Sequence, residues 1–133
     1  MRRLLTALIL AALCGCWTPG SVTEVLPKHT EKFPAGSSFF VVKTERRVEA
    51  ALKRALRARG FEVKESKDDA DLVMTAKVLG WEYNDAGFSG FHPRDDMELV
   101  ITVADRKTKF VRARSNVSVR SDIRILEKYV KTL

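Results

Sequence analysis

The sequence predicts an α+β domain, a mixed or mainly antiparallel sheet of about five strands with one long helix and a C-terminal helix. Three observations lead there. Residues 72–78 and 97–103 alternate apolar with polar, the period of a half-buried strand. Val48, Ala51, Leu52, Ala55 and Leu56 recur instead at helical spacing and form one apolar stripe. The segments also follow in the order β-α-β-β-β-β-α, which places helices on one face of a sheet.

Each element has its own local reason. Residues 37–43 (SSFFVVK) are a short apolar run rich in β-formers, the first predicted strand. Thr44 is suited to N-cap a helix whose first turn starts at Glu45, and Gly60 ends it. Residues 61–65 alternate out of the helix and make a second strand, which can lie parallel to the first through a crossover. A polar loop over 66–70 precedes a third strand over 71–83, with Leu72, Met74, Ala76 and Val78 on one face. Residues 84–95 (NDAGFSGFHPRD) form the longest loop. Met97, Leu99, Ile101 and Val103 mark the fourth strand, residues 105–108 a hairpin turn, and 109–120 the fifth strand. On that last strand Val111, Ala113, Val117 and Val119 share the inner face. Ser121 caps a final helix with Ile123, Leu126 and Val130 inward.

At 133 residues the chain holds one domain, and 45% hydrophobic against 31% charged residues exclude wholesale disorder. The net charge is +7, two units of it from Arg2 and Arg3, so a chain starting at Cys16 would carry +5. The only cysteines are Cys14 and Cys16, too close in sequence to bridge easily. With the widely separated His29 and His92 they make no metal-ligand set.

The N-terminus carries the strongest chemical signal. Arg2 and Arg3 precede an uncharged apolar run from Leu4 to Leu13, too short for a bilayer span and suited to a signal-peptide core. Leu13-Cys14-Gly15-Cys16 then resembles the lipobox of bacterial lipoproteins: an aliphatic residue, a small one, glycine, and the cysteine that is modified. Cys14 fits worse, because Leu13 would stand directly before it where a small residue is expected. The resemblance implies cleavage between Gly15 and Cys16 and diacylglyceryl and palmitoyl lipid on Cys16, with no other cofactor. It also implies that Trp17, standing where an aspartate would favour the inner membrane, directs the protein to the outer membrane. The expected organisation is a signal over 1–15, a lipidated N-terminus and tether over 16–36, and one periplasmic domain over 37–133. Three of the four prolines fall in the tether, which as a flexible coil would hold the domain about 25 Å from the bilayer.

Within the domain, candidate sites are few. Asp68, Asp69 and Asp71 lack the spacing of a calcium loop. Asp95 and Asp96, beside His92 and Arg94, lack a nucleophile and a positioned second carboxylate. No catalytic or metal-ligating residue is therefore assigned. A binding surface is expected where aromatics meet a glycine-rich loop (Trp81, Tyr83, Phe88, Phe91) and along the cations Arg112, Arg114 and Arg120 of the fifth strand. From Arg106 to Lys131 there are nine basic residues against Asp122 and Glu127, a charge balance suited to lipid phosphates or an anionic polymer. Residues 58–63 (ARGFEV), followed by Ala70-Asp71-Leu72, resemble several families of small bacterial lipoproteins, YajG-like ones among them, over roughly residues 40–105. That likeness implies the fold and brings no functional residue.

The function expected is that of a non-enzymatic accessory or binding module anchored in the cell envelope and facing the periplasm. An envelope hydrolase acting on cell-wall material and a structural subunit of a larger envelope assembly are the alternatives. Expected partners are the membrane, through the anchor, and an envelope protein or an anionic lipid or polymer; export excludes nucleic acid.

Overall fold

In the computed structural model of the chain, which describes residues 20–26, 32–84, 94–120 and 122–133, six strands form a single sheet. They are β1 (Ser21–Leu26), β2 (Ser38–Val41), β3 (Glu62–Val63), β4 (Leu72–Asn84), β5 (Arg94–Asp105) and β6 (Val111–Arg120). Helix α1 (Arg46–Ala58) joins β2 to β3, and helix α2 (Ile125–Lys131) follows β6. The strand order is β1-β6-β5-β4-β2-β3. β2 lies parallel to both of its neighbours, and every other pair is antiparallel.

The sheet is covered on one face. Leu72, Met74 and Ala76 of β4, Met97, Leu99, Ile101 and Val103 of β5, and Ala113, Val117 and Val119 of β6 alternate into one core. Val48, Ala51, Leu52, Ala55 and Leu56 of α1 join that core with Ile125, Leu126, Tyr129 and Val130 of α2. Phe39 is completely buried in β2, its ring edge-on to Phe33 at 5.7 Å and tilted against Phe61 at 5.0 Å. Thr75, Lys77, Arg114 and Asn116, on the alternate positions, are exposed on the open face.

The α+β class and the strand–helix order agree with the sequence reading, with one strand added. Residues 21–26, expected within a structureless tether, pair with β6 from Ser21 opposite Ser118 to Leu26 opposite Arg114. The flanking prolines hid this strand; between them Val22 and Thr23 favour extended backbone, and Val22 packs on the core. Within the span 16–36, residues 21–26 thus belong to the sheet.

Smaller corrections follow the same logic. The α1 cap is Glu45, not Thr44: its carboxylate accepts from the backbone N–H groups of Arg47 (2.9 Å) and Val48 (3.0 Å). Thr44 donates its hydroxyl to the Ala76 carbonyl instead (2.8 Å), tying the helix entry to β4. On β6, Val111 is exposed, because the β5–β6 register shifts at Val103/Ala104 and moves it out of the inward phase, while Ser115 keeps the inward phase of Ala113 and Val117 and is buried. The predicted second strand shrinks to Glu62–Val63. Ser121 lies outside the described residues; at the entry to α2 the Asp122 carboxylate accepts from the Arg124 N–H (3.1 Å). Leu126 and Val130 face inward as expected, while Ile123 is only half-buried.

Burial works to raise the pKa of Glu45, but hydrogen bonds from Val48 and Arg47 and the charge of Arg47 outweigh it, and the carboxyl ends below its usual value. Glu45→Gln is therefore expected to cost about 1 kcal/mol at neutral pH, measured by denaturant unfolding. Because the folded pKa is lowered, that difference is complete above the ordinary glutamate value of 4.5 and disappears as the pH falls through the lowered folded value.

Candidate functional site

The pairing directions decide what meets at each end of the sheet. β4 and β6 run one way, β5 and β1 the other. The start of β1, the end of β4, the start of β5, the end of β6 and the entry to α2 therefore share one end. Gly20 is held tightly there. A Cβ on it would lie 2.7 Å from the Ser118 carbonyl oxygen and 3.2 Å from Ile125 Cγ1. The chain can enter β1 along this path only because residue 20 has no side chain.

Beside Gly20 opens a cleft of about 360 Å³ with Ile125 in its wall and Arg120, Arg124, Lys128 and Lys131 around it. Two carboxylates, Asp122 and Glu127, share it. The cations differ in how far they are already satisfied. Arg120 reaches Asp96 (3.5 Å) and Glu98 (3.1 Å), and Glu98 also accepts from the Ser118 hydroxyl (2.8 Å). Arg124 makes a fork to Asp122, with Nε to Oδ1 and Nη2 to Oδ2 both at 2.9 Å. That side-chain bond holds the Asp122 carboxyl below its usual pKa and raises that of Arg124. Lys128 and Lys131 are exposed and form no ion pair among the described residues. A second cleft of about 330 Å³ lies between α1 and α2 over Ala55, Ala58 and Val130, and shares Glu127 and Lys131 with the first.

The residues expected to form a binding surface are divided by the fold. Trp81 and Tyr83 stand in β4 opposite Met97 and Asp95, at the same end as Arg120. Arg112 belongs to the other end of β6, where it pairs with Asp105 (3.4 Å) and lies over the Phe33 ring. Arg114 is exposed on the open face opposite Thr102. Phe88, Phe91 and His92 lie outside the described residues, as do Gly15 and Cys16. Asp96 has one buried oxygen, Oδ1, without a hydrogen-bond partner among the described residues, and faces Arg120 with the other. Of the loop aspartates, Asp71 exchanges hydrogen bonds with buried Ser38, whereas Asp68 and Asp69 are exposed in a 3-10 turn. No group of three His, Cys, Asp or Glu able to hold a metal ion occurs among the described residues. Arg124, Lys128 and Lys131 were visible in the sequence only as part of a basic run. The signal that singles them out is their spacing, i, i+4 and i+7, which sets them on one stripe of a helix.

No protein-family model and no curated protein sequence matches the chain. Among solved structures it is similar to a PelC dodecamer from Paraburkholderia phytofirmans, at 16% identity and a TM-score of 0.54, covering 86% of this chain and 91% of that one. A dodecamer of a PelC point variant from the same organism is similar at 19% identity and a TM-score of 0.51 over the same shares. A minor lipoprotein from Acinetobacter baumannii matches at 14% identity over 72% of this chain and 87% of that one, with a TM-score of 0.36 too low to bear on the fold. The PelC likeness is one of fold.

Gly20→Ala is expected to dislodge the start of β1, because its methyl group would meet a backbone oxygen that cannot swing away. Unfolding measurements should show a loss of about 1–3 kcal/mol. Hydrogen exchange should show faster exchange in β1 with the β4–β5 pairing unchanged.

Proposed function

We propose that the chain is an envelope lipoprotein, acylated on Cys16, whose α+β domain is a non-enzymatic accessory or binding module on the periplasmic side of the outer membrane. The observation that carries the reading is Leu13-Cys14-Gly15-Cys16 behind a charged start and a short apolar run. The chemistry asks for that arrangement: a thiol to take the diacylglyceryl group as a thioether, and small residues before it so that a peptidase can approach the backbone. Two or three acyl chains then anchor stably where one would not. Trp17 after the cysteine supports the outer membrane by the same resemblance. Among the described residues no helix is long and apolar enough to cross a membrane.

A second reading, a structural subunit of a larger envelope assembly, is favoured by the solved structures of similar fold, which are described as dodecamers. The share of that chain covered, 91%, supports comparing whole domains and not fragments.

The anchor is tested by labelled palmitate. The wild-type chain is expected to incorporate label and Cys16→Ser to lose it; label retained in Cys16→Ser would overturn the reading. The assembly reading is tested by light scattering on the detergent-extracted protein. A single species many times the 15.0 kDa of the chain is expected, and a monomer at micromolar concentration would count against it.

A further inference from the structure

We infer that the outer stripe of α2, with Lys128 and Lys131 as its free cations, binds the phosphates of anionic phospholipid headgroups in the leaflet that holds the anchor. The inference rests on the lipid-anchor reading and deepens it. Its starting point is where the fold begins. Gly20 is wedged between the Ser118 carbonyl and Ile125, and only residues 17–19 stand between it and Cys16. Four residue steps reach at most about 14 Å, so an acylated Cys16 would hold this end of the domain against the bilayer.

The surface beside that point is cationic. Arg124, Lys128 and Lys131 follow one another along the outer side of α2 over about 10 Å, and Arg120 adds a charge from the end of β6. The pairing already described separates fixed charges from available ones. Asp122 occupies the Arg124 fork, and Asp96 and Glu98 occupy Arg120. Lys128 and Lys131 have no such partner among the described residues. Glu127 is the opposing exposed carboxylate on the helix. Lysine ammonium groups donate readily to phosphate oxygens as mobile point charges, and their long stems let them reach a headgroup plane. Basic residues act on a lipid surface only within about a Debye length, roughly 8 Å at physiological salt, a distance the short link to Cys16 helps to secure.

The test uses the mature chain from residue 16 with Cys16→Ser, so that no acyl group contributes. Every described core residue lies between Phe39 and Leu133 and remains in that chain. Sedimentation with vesicles of phosphatidylcholine alone is compared with vesicles containing phosphatidylglycerol. Binding is expected only to the anionic vesicles and should fall with salt. Lys128→Glu with Lys131→Glu should weaken it by about thirtyfold or more. Lys67→Glu with Lys107→Glu changes the net charge equally at the far end of the sheet and should weaken it much less; melting curves confirm that both variants fold. Equal loss in the two double variants would overturn the inference, as would equal binding to both kinds of vesicle. Protection of the stripe by inorganic phosphate without any vesicle binding would also overturn it, and would assign the lysines to a free anion. Because this assay involves no acylation and the palmitate assay involves no vesicles, either reading can fail without the other.

Discussion

Parallel pairing of β2 with both β3 and β4 is the constraint on which the architecture turns. Parallel neighbours cannot be joined by a tight turn, so the chain must cross over the sheet between β2 and β3. Helix α1 makes that crossing and settles which face is covered. Once Val48, Leu52 and Leu56 lie on that face, the inward phase of β4, β5 and β6 is fixed, because a slip of one residue would turn each strand inside out. Phe39 sits where the crossing begins and ends. It is fully buried between Phe33 and Phe61, the one preceding β2 and the other just before β3.

Much of this was legible because the signals were periodic. The α1 stripe and the alternation of β4 and β5 lie in single stretches of chain, and their buried residues are those the spacing selects. The misreadings share a different cause, since each depended on a partner distant in sequence. Val22 and Thr23 become strand residues only because β6 offers an edge. Glu45 displaces Thr44 as the cap because the Thr44 hydroxyl is drawn to the Ala76 carbonyl. Val111 leaves the core because of a register shift set by β5. The candidate surface was legible as composition and not as a place. Arg112 and Arg120 belong to one strand, yet they serve opposite ends of the sheet and different carboxylates.

The charge of the domain is accordingly less available than its total suggests. Arg112, Arg120 and Arg124 are each held by a neighbouring acid. At exposed positions such pairs add little to stability, but they hold their side chains in place and reduce the local field. What remains for an outside partner is set by the cations that no ion pair holds. On α2 these lie beside the point where the chain enters the fold.

That entry point also orders events in time. Ser21 pairs with Ser118, so the first strand of the sheet waits on the last one. A chain made N-terminus first can form the β4–β5 hairpin from neighbouring residues, but it cannot seat β1 until β6 has emerged. Until then nothing in the sheet holds Gly20 to the domain. Seating β1 afterwards draws Gly20 in against Ser118 and Ile125, so the last strand to be made closes the first.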